Sequence, residues 1–210
     1  MKNNYQKLVL KTAFLAGIAL TFTSTSFAED KKKKPELMTG ASTEMLANTC
    51  AGCHGGNGVS AGPSIPTLAG LSPAYFVETM EGYKSDDIPS TIMGRLAKGY
   101  STEEFTQMGE YFSKQKYVAA TGQKVDEAKA EKGAKLHEKY CEKCHSESGT
   151  VADDDSGFLK GQWKSYLVAQ MMDFQNKDRK ASKKMAKKMK KLHKKQGPAG
   201  FDALIEYYAK

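Results

Sequence analysis

The sequence predicts an all-α chain built as a tandem duplication of one small domain. Three observations predict it. The pentapeptide Cys50-Ala51-Gly52-Cys53-His54 recurs as Cys141-Glu142-Lys143-Cys144-His145. The residues that follow keep step: Gly70 and Gly161 lie sixteen positions after their histidines, within Leu68-Ala69-Gly70 and Leu159-Lys160-Gly161, and Tyr75 matches Tyr166, Met80 matches Met171 and Tyr83 matches Phe174. Agreement over some thirty positions marks an internal repeat. The connecting segments carry helix caps and helical spacing, and no stretch shows strand alternation.

The elements follow in chain order. Lys2, Lys7 and Lys11 surround the start of an apolar run from Thr12 to Phe22, and Ser26-Phe27-Ala28 places small residues at the cleavage positions. This is the pattern of a secretory signal peptide over residues 1–28, cut after Ala28. The run is shorter than the roughly 20 residues that a span requires, and nothing later is apolar enough to cross a bilayer. The expected location is the periplasm, with no membrane span in the mature form. A first domain is expected over 36–117. It opens with a helix from Ser42 to Asn48, capped by Ser42 or Thr43. After the first pentapeptide comes a loop from Gly55 to Pro66. Ser72-Pro73-Ala74-Tyr75 then starts a helix with a serine cap and proline in its first turn, running to about Tyr83. Ser101-Thr102-Glu103-Glu104 is a capping box that opens a helix to about Ser113. Lys116 to Lys124 lacks periodicity and reads as the linker. The second domain, 126–210, repeats the plan with a helix over Val125–Tyr140, a loop over Ser146–Gly157, a helix through Tyr166 and Met171, a lysine-rich helix, and a last helix over Phe201–Ala209.

C-x-x-C-H is the attachment signature of a c-type haem. Two thiols one helical turn apart add to the two vinyl groups of one haem, and the histidine that follows directly is carried under the iron. A single C-x-x-C could be a redox dithiol or half a zinc site; two complete pentapeptides select two covalent haem c groups. Cys50, Cys53, Cys141 and Cys144 are all the cysteines of the chain, so no thiol is left for a structural disulfide.

His54 and His145 are the proximal ligands of this reading, and a methionine on the other side of each iron would raise its potential and close it to oxygen. There are ten methionines. Met80, Met171 and Met172 lie on the helix after the glycine loop and read as packing residues, and Met108 faces inward from the last helix of the first copy. Met93 stands in an irregular segment, Ile88 to Gly94, and is the candidate for the first iron. In the second copy the repeat points at Met185, one position off strict register with Met93; Met189, one turn later, competes with it. His137 and His193 read as surface residues.

The formal net charge is +8, or +5 without the three leader lysines. Much of it sits between Lys177 and Lys195. That run reads first as a solvated helix face with Met185, Met189 and Leu192 turned inward, and second as an electrostatic dock for an acidic partner. Export argues against nucleic acid. No nucleophile–base arrangement is present, so the expected role is outer-sphere electron transfer and not catalysis. A dihaem peroxidase would need an open iron, against which the methionines in both copies argue.

The two pentapeptides with Pro66-Thr67-Leu68-Ala69-Gly70 resemble the dihaem cytochromes of the c4 class. Met93 to Ser101, Gly133 to His145 and Gly161-Gln162-Trp163 resemble more closely the cytochrome subunit of flavocytochrome c sulfide dehydrogenase, and the likeness runs across essentially the whole mature chain. The resemblance implies two class I cytochrome c domains related by a pseudo-twofold, an FAD-binding flavoprotein subunit that oxidises sulfide and supplies electrons, and a downstream electron acceptor. It implies His54 and Met93 at one iron, His145 and Met185 at the other, and a Pro66 carbonyl that accepts from the Nδ1–H of His54. Gly157 stands where the second copy would have that proline. The alternative is a free-standing c4-type carrier to an oxidase or reaction centre.

Overall fold

The computed structural model describes residues 37–153 and 156–210. The leader and its cleavage site lie outside them. Ten helices run in order among the described residues: α1 Thr43–Asn48, α2 Ala51–His54, α3 Pro73–Lys84, α4 Met93–Ala97, α5 Thr102–Ser113, α6 Glu127–Tyr140, α7 Ser146–Gly149, α8 Lys164–Asn176, α9 Lys183–Gln196 and α10 Pro198–Ala209. A 3₁₀ turn occupies Gly56–Gly58.

Side-chain caps start most of the long helices. Ser42 accepts from the Met45 amide, Ser72 from Tyr75, Asp126 from Lys129 and Ser182 from Met185. Ser101 and Glu104 form the full capping box of α5. Glu104 is buried and also accepts from both the amide and the hydroxyl of Thr39, so one carboxylate ties the start of the described chain to α5. Two differences from the sequence reading have local causes. Met93 opens a short helix instead of lying in irregular chain. The last helix begins at Pro198, three residues earlier than expected, with proline in its first turn.

The apolar faces close two cores. Leu46, Phe76, Met80, Phe105, Met108 and Phe112 form one from α1, α3 and α5. Leu136, Leu167, Leu192, Phe201, Leu204 and Tyr208 form the other from α6, α8, α9 and α10. In the second, α6 crosses α10 so closely that a Cβ on Gly133 would stand 2.0 Å from the Ala203 carbonyl oxygen.

The duplication is written into the backbone. The Gly58 carbonyl accepts from Leu68 and Ala69, and the Gly149 carbonyl accepts from Leu159 and Lys160. The Gly70 amide donates to the Phe112 carbonyl at 2.8 Å, and the Gly161 amide to the Tyr208 carbonyl at 2.7 Å. These loops need left-handed backbone at matching places, with φ +77° and +82° at Gly58 and Gly149, and +79° and +82° at Gly70 and Gly161.

The copies meet through the segments that follow their loops. The side-chain amide of Gln162 bridges Thr67, accepting from its amide and donating to its carbonyl, both at 3.0 Å. The Trp163 indole donates to the Ser60 carbonyl at 3.2 Å. The expected linker is non-helical but pinned: Tyr117 stacks on Phe158 with centroids 4.0 Å apart and donates to the Lys160 carbonyl, and Gln123 bonds both Gln162 and Ala209.

Candidate haem sites

Each pentapeptide is folded as one helical turn. The His54 and Cys53 amides donate to the Cys50 carbonyl, and the His145 and Cys144 amides to the Cys141 carbonyl. This sets each cysteine pair one turn apart with the histidine next in line, which is the arrangement that thioether attachment and proximal ligation require. None of the four cysteines is paired in a disulfide. Burial raises the pKa of Cys50 and of Cys141.

In the first copy, His54 is buried and its Nδ1 lies 2.8 Å from the Pro66 carbonyl oxygen. Nδ1–H donates there, which leaves Nε2 free to ligate. Burial lowers the His54 pKa, opposed by that hydrogen bond, so the ring is held neutral as a ligand must be. Met93 is half-buried and packs against the first core. The residues on either side of its helical turn, Ile92 and Leu96, are 51% and 49% exposed.

In the second copy a cavity of 1420 Å³ contains Cys141, Cys144 and His145. Its walls are apolar, with Leu159, Leu167, Phe201 and Leu204. Met185 and Met189 both line it, one turn apart on α9, so both sequence candidates share the wall. The first copy closes the far side through Tyr75, Glu78 and Ile88. An apolar cavity, a thiol pair, an imidazole and thioethers are a donor set that fits a covalent haem. Lys184, Lys187, Lys188 and Lys191 lie at its exposed mouth.

Two sequence expectations need correction. Met172 is 55% exposed and is not a packing residue. His137 is 2% exposed and is not a surface residue, although it is no ligand either. Its Nε2 lies 2.5 Å from the Glu142 carboxylate and its Nδ1 2.8 Å from the Tyr208 hydroxyl. With Nε2–H donating to Glu142, Nδ1 accepts the Tyr208 O–H. Burial pushes the Tyr208 hydroxyl well up, which keeps it a donor. Glu142 is itself part of the second pentapeptide and accepts from the Ser148 amide, so this chain of hydrogen bonds braces the attachment turn. The corresponding first-copy residues are Leu46, Ala51 and Phe112. The spacing Gly133, His137, Tyr140 on one helical face was the signal for burial. His193 is exposed, as expected.

No family model matches the chain. The cytochrome subunit of sulfide dehydrogenase from Chlorobaculum tepidum is 41% identical over 91 residues, 43% of this chain and 80% of that protein. Cytochrome c4 from Pseudomonas aeruginosa is 31% identical over 141 residues, 64% of this chain and 70% of its own. The crystal structure of reduced cytochrome c4 from Pseudomonas stutzeri superposes with a TM-score of 0.65, covering 80% of this chain and 98% of that one at 24% identity, which shows the shared fold. Among the described residues no helix is long and apolar enough to cross a membrane.

Proposed function

Because the chain belongs to the cytochrome c4-like dihaem cytochromes, electron-transfer proteins of two class I domains with two covalent haems, we propose that it is the cytochrome subunit of a sulfide dehydrogenase. It takes electrons from an FAD-binding flavoprotein and passes them to a downstream acceptor in the periplasm, after removal of residues 1–28. The observation that carries this reading is the 41% identity to the sulfide dehydrogenase subunit over 80% of that protein.

The haems, when bound, supply reversible one-electron iron chemistry. The chain supplies the rest. We assign domain 1 to 36–117 and domain 2 to 126–210, in keeping with the two cores and the non-helical segment between them. His54 and Met93 are assigned to one iron, His145 and Met185 to the other; Cys50, Cys53, Cys141 and Cys144 hold the porphyrins. Pro66 orients His54. Domain 1 faces the flavoprotein, since Ile92 and Leu96 offer exposed apolar surface beside Met93 with Arg95 and Lys98 alongside. Domain 2 faces the acceptor, since its matching segment is the lysine-coated α9.

The test is purification of the chain from its native source. A flavin-bearing partner should co-purify, and sulfide should reduce the complex. A cytochrome that purifies alone and is not reduced by sulfide with any flavoprotein fraction overturns the assignment. It would support the second reading, a free c4-type carrier, which is favoured by the longer alignment with cytochrome c4, 141 residues against 91.

A further inference from the structure

One peptide group links the first haem site to the second copy. Its carbonyl, that of Pro66, lies 2.8 Å from His54 Nδ1 and accepts the ring N–H. Its amide, that of Thr67, donates to the Gln162 side-chain oxygen at 3.0 Å. His54, this peptide and Gln162 therefore form one continuous chain of hydrogen bonds across the join. Gln162 also donates from Nε2 to the Thr67 carbonyl at 3.0 Å, so its side chain can present only its oxygen to the Thr67 N–H. Thr67 is 1% exposed and Gln162 3%, which keeps water from competing for either bond. The Ser60 amide donates to the Thr67 hydroxyl and holds the same residue from another side.

Hydrogen bonds in series polarise one another. A peptide whose N–H donates carries more negative charge on its carbonyl oxygen. A stronger acceptor at Nδ1–H makes the imidazole a stronger electron donor at Nε2. A more donating imidazole favours the oxidised iron, and hydrogen bonding behind the axial ligand is one of the levers on haem potential. The repeat offers no equivalent to the second haem. Leu71 is the first-copy counterpart of Gln162, each seventeen positions after its histidine. It stands against the second loop, where a Cβ on Gly157 would lie 3.3 Å from its Cδ2. A leucine side chain can neither accept nor donate.

We propose, resting on the assignment of His54 to the first iron, that Gln162 is a positioning residue for the first haem. Acting through the Pro66–Thr67 peptide, it tightens the hold on His54 and lowers the midpoint potential of that haem alone. A second-copy side chain thus sets the first-copy potential, and the first copy exerts no matching control in return.

A redox titration of the dihaem protein labelled with nitrogen-15 histidine, followed by NMR, tests this independently of which flavoprotein it serves. In the oxidised protein the iron spin shifts the ring signals of ligating histidines, so His54 and His145 report the two midpoints separately. Q162L, which copies Leu71, should raise the first midpoint and leave the second unchanged. In the reduced, diamagnetic protein it should move the His54 Nδ1–H signal upfield, as a weakened hydrogen bond does. W163F removes the bond to Ser60 and loosens the join without touching the Pro66–Thr67 peptide, and should leave both midpoints in place. An unchanged first midpoint in Q162L overturns the proposal. So does an equal rise in W163F, or a rise of both midpoints together, since either reports a loosened join and not the peptide. A His54 ring signal that the iron spin does not shift overturns the ligand assignment itself, and the proposal with it. If Q162L does not accumulate as holoprotein, Q162M, unbranched and similar in length to glutamine, carries the test by the same criteria.

Discussion

His137 holds two partners that the first copy does without. Where the second copy has His137, Glu142 and Tyr208, the first has Leu46, Ala51 and Phe112 at corresponding places. The H137L substitution should therefore cost stability, because it leaves the buried Tyr208 hydroxyl without its imidazole partner, about 1–3 kcal/mol, and frees one side of the more exposed Glu142. The triple variant H137L/E142A/Y208F, which copies the first domain, should recover most of the loss in thermal unfolding. A triple variant no better than H137L would show that the three do not act as a unit. The methionines give a second prediction at this scale. M93A and M185A should each remove the share of one iron from the weak far-red sulfur-to-iron band of the oxidised protein, and M189A should leave it intact. Loss of that share in M189A, with retention in M185A, would move the second ligand one turn along α9. The two cases mark what single residues disclosed. Cysteine and histidine spacing was legible because attachment chemistry permits little else. His137 was missed because a polar residue on a buried face is told from a surface one only by knowing which partners the fold brings to it.

The helix starts were legible for a related reason. Ser42, Ser72 and Ser101 act on amides three residues ahead, so their role is local and visible in the chain. Helix α4 was not legible, because Ile92 at its cap makes no side-chain bond and only five residues follow before it ends. Glu104 shows what a cap adds beyond a helix start. Burial raises its pKa, but hydrogen bonds from Thr39 and Ser101 outweigh that and hold its carboxyl below its ordinary value of 4.5. A carboxyl lowered in the folded state contributes stability that is complete above its unfolded value and is lost as pH falls through the folded one. Unfolding midpoints measured from neutrality into acid should therefore drop below about pH 4.5, and E104Q should flatten part of that drop while lowering stability at neutrality. S101A should cost about 1 kcal/mol. At the same scale, α9 places Met185, Met189 and Leu192 inward and its lysines outward. Charge reversal of several lysines between Lys183 and Lys195 should slow oxidation by an acidic acceptor and weaken its dependence on salt, while flavin-to-haem transfer keeps its rate. Slowed flavin-to-haem transfer with normal acceptor kinetics would reverse the polarity assigned to the two domains.

At the scale of the whole molecule, the duplication was legible from spacing alone, whereas the join between the copies was not. Gln162 and Trp163 stood out in the sequence only through resemblance, and their function is to reach Thr67 and Ser60 about a hundred residues away. Long-range pairing of this kind leaves no local periodicity. The join combines that bridge with Tyr117 against Phe158 and with Gln123 held at two carbonyls, so the segment between the domains is a fastened strap and not a slack tether. The consequence concerns friction. Where two redox domains swing on a tether, each electron exchange waits for a diffusive encounter, and its rate falls as the medium thickens. A fastened join removes that wait. The rate of exchange between the two halves of this protein, followed after flash reduction of one of them, should stay level as glycerol raises solvent viscosity, and Q162A, by loosening the strap, should make it fall.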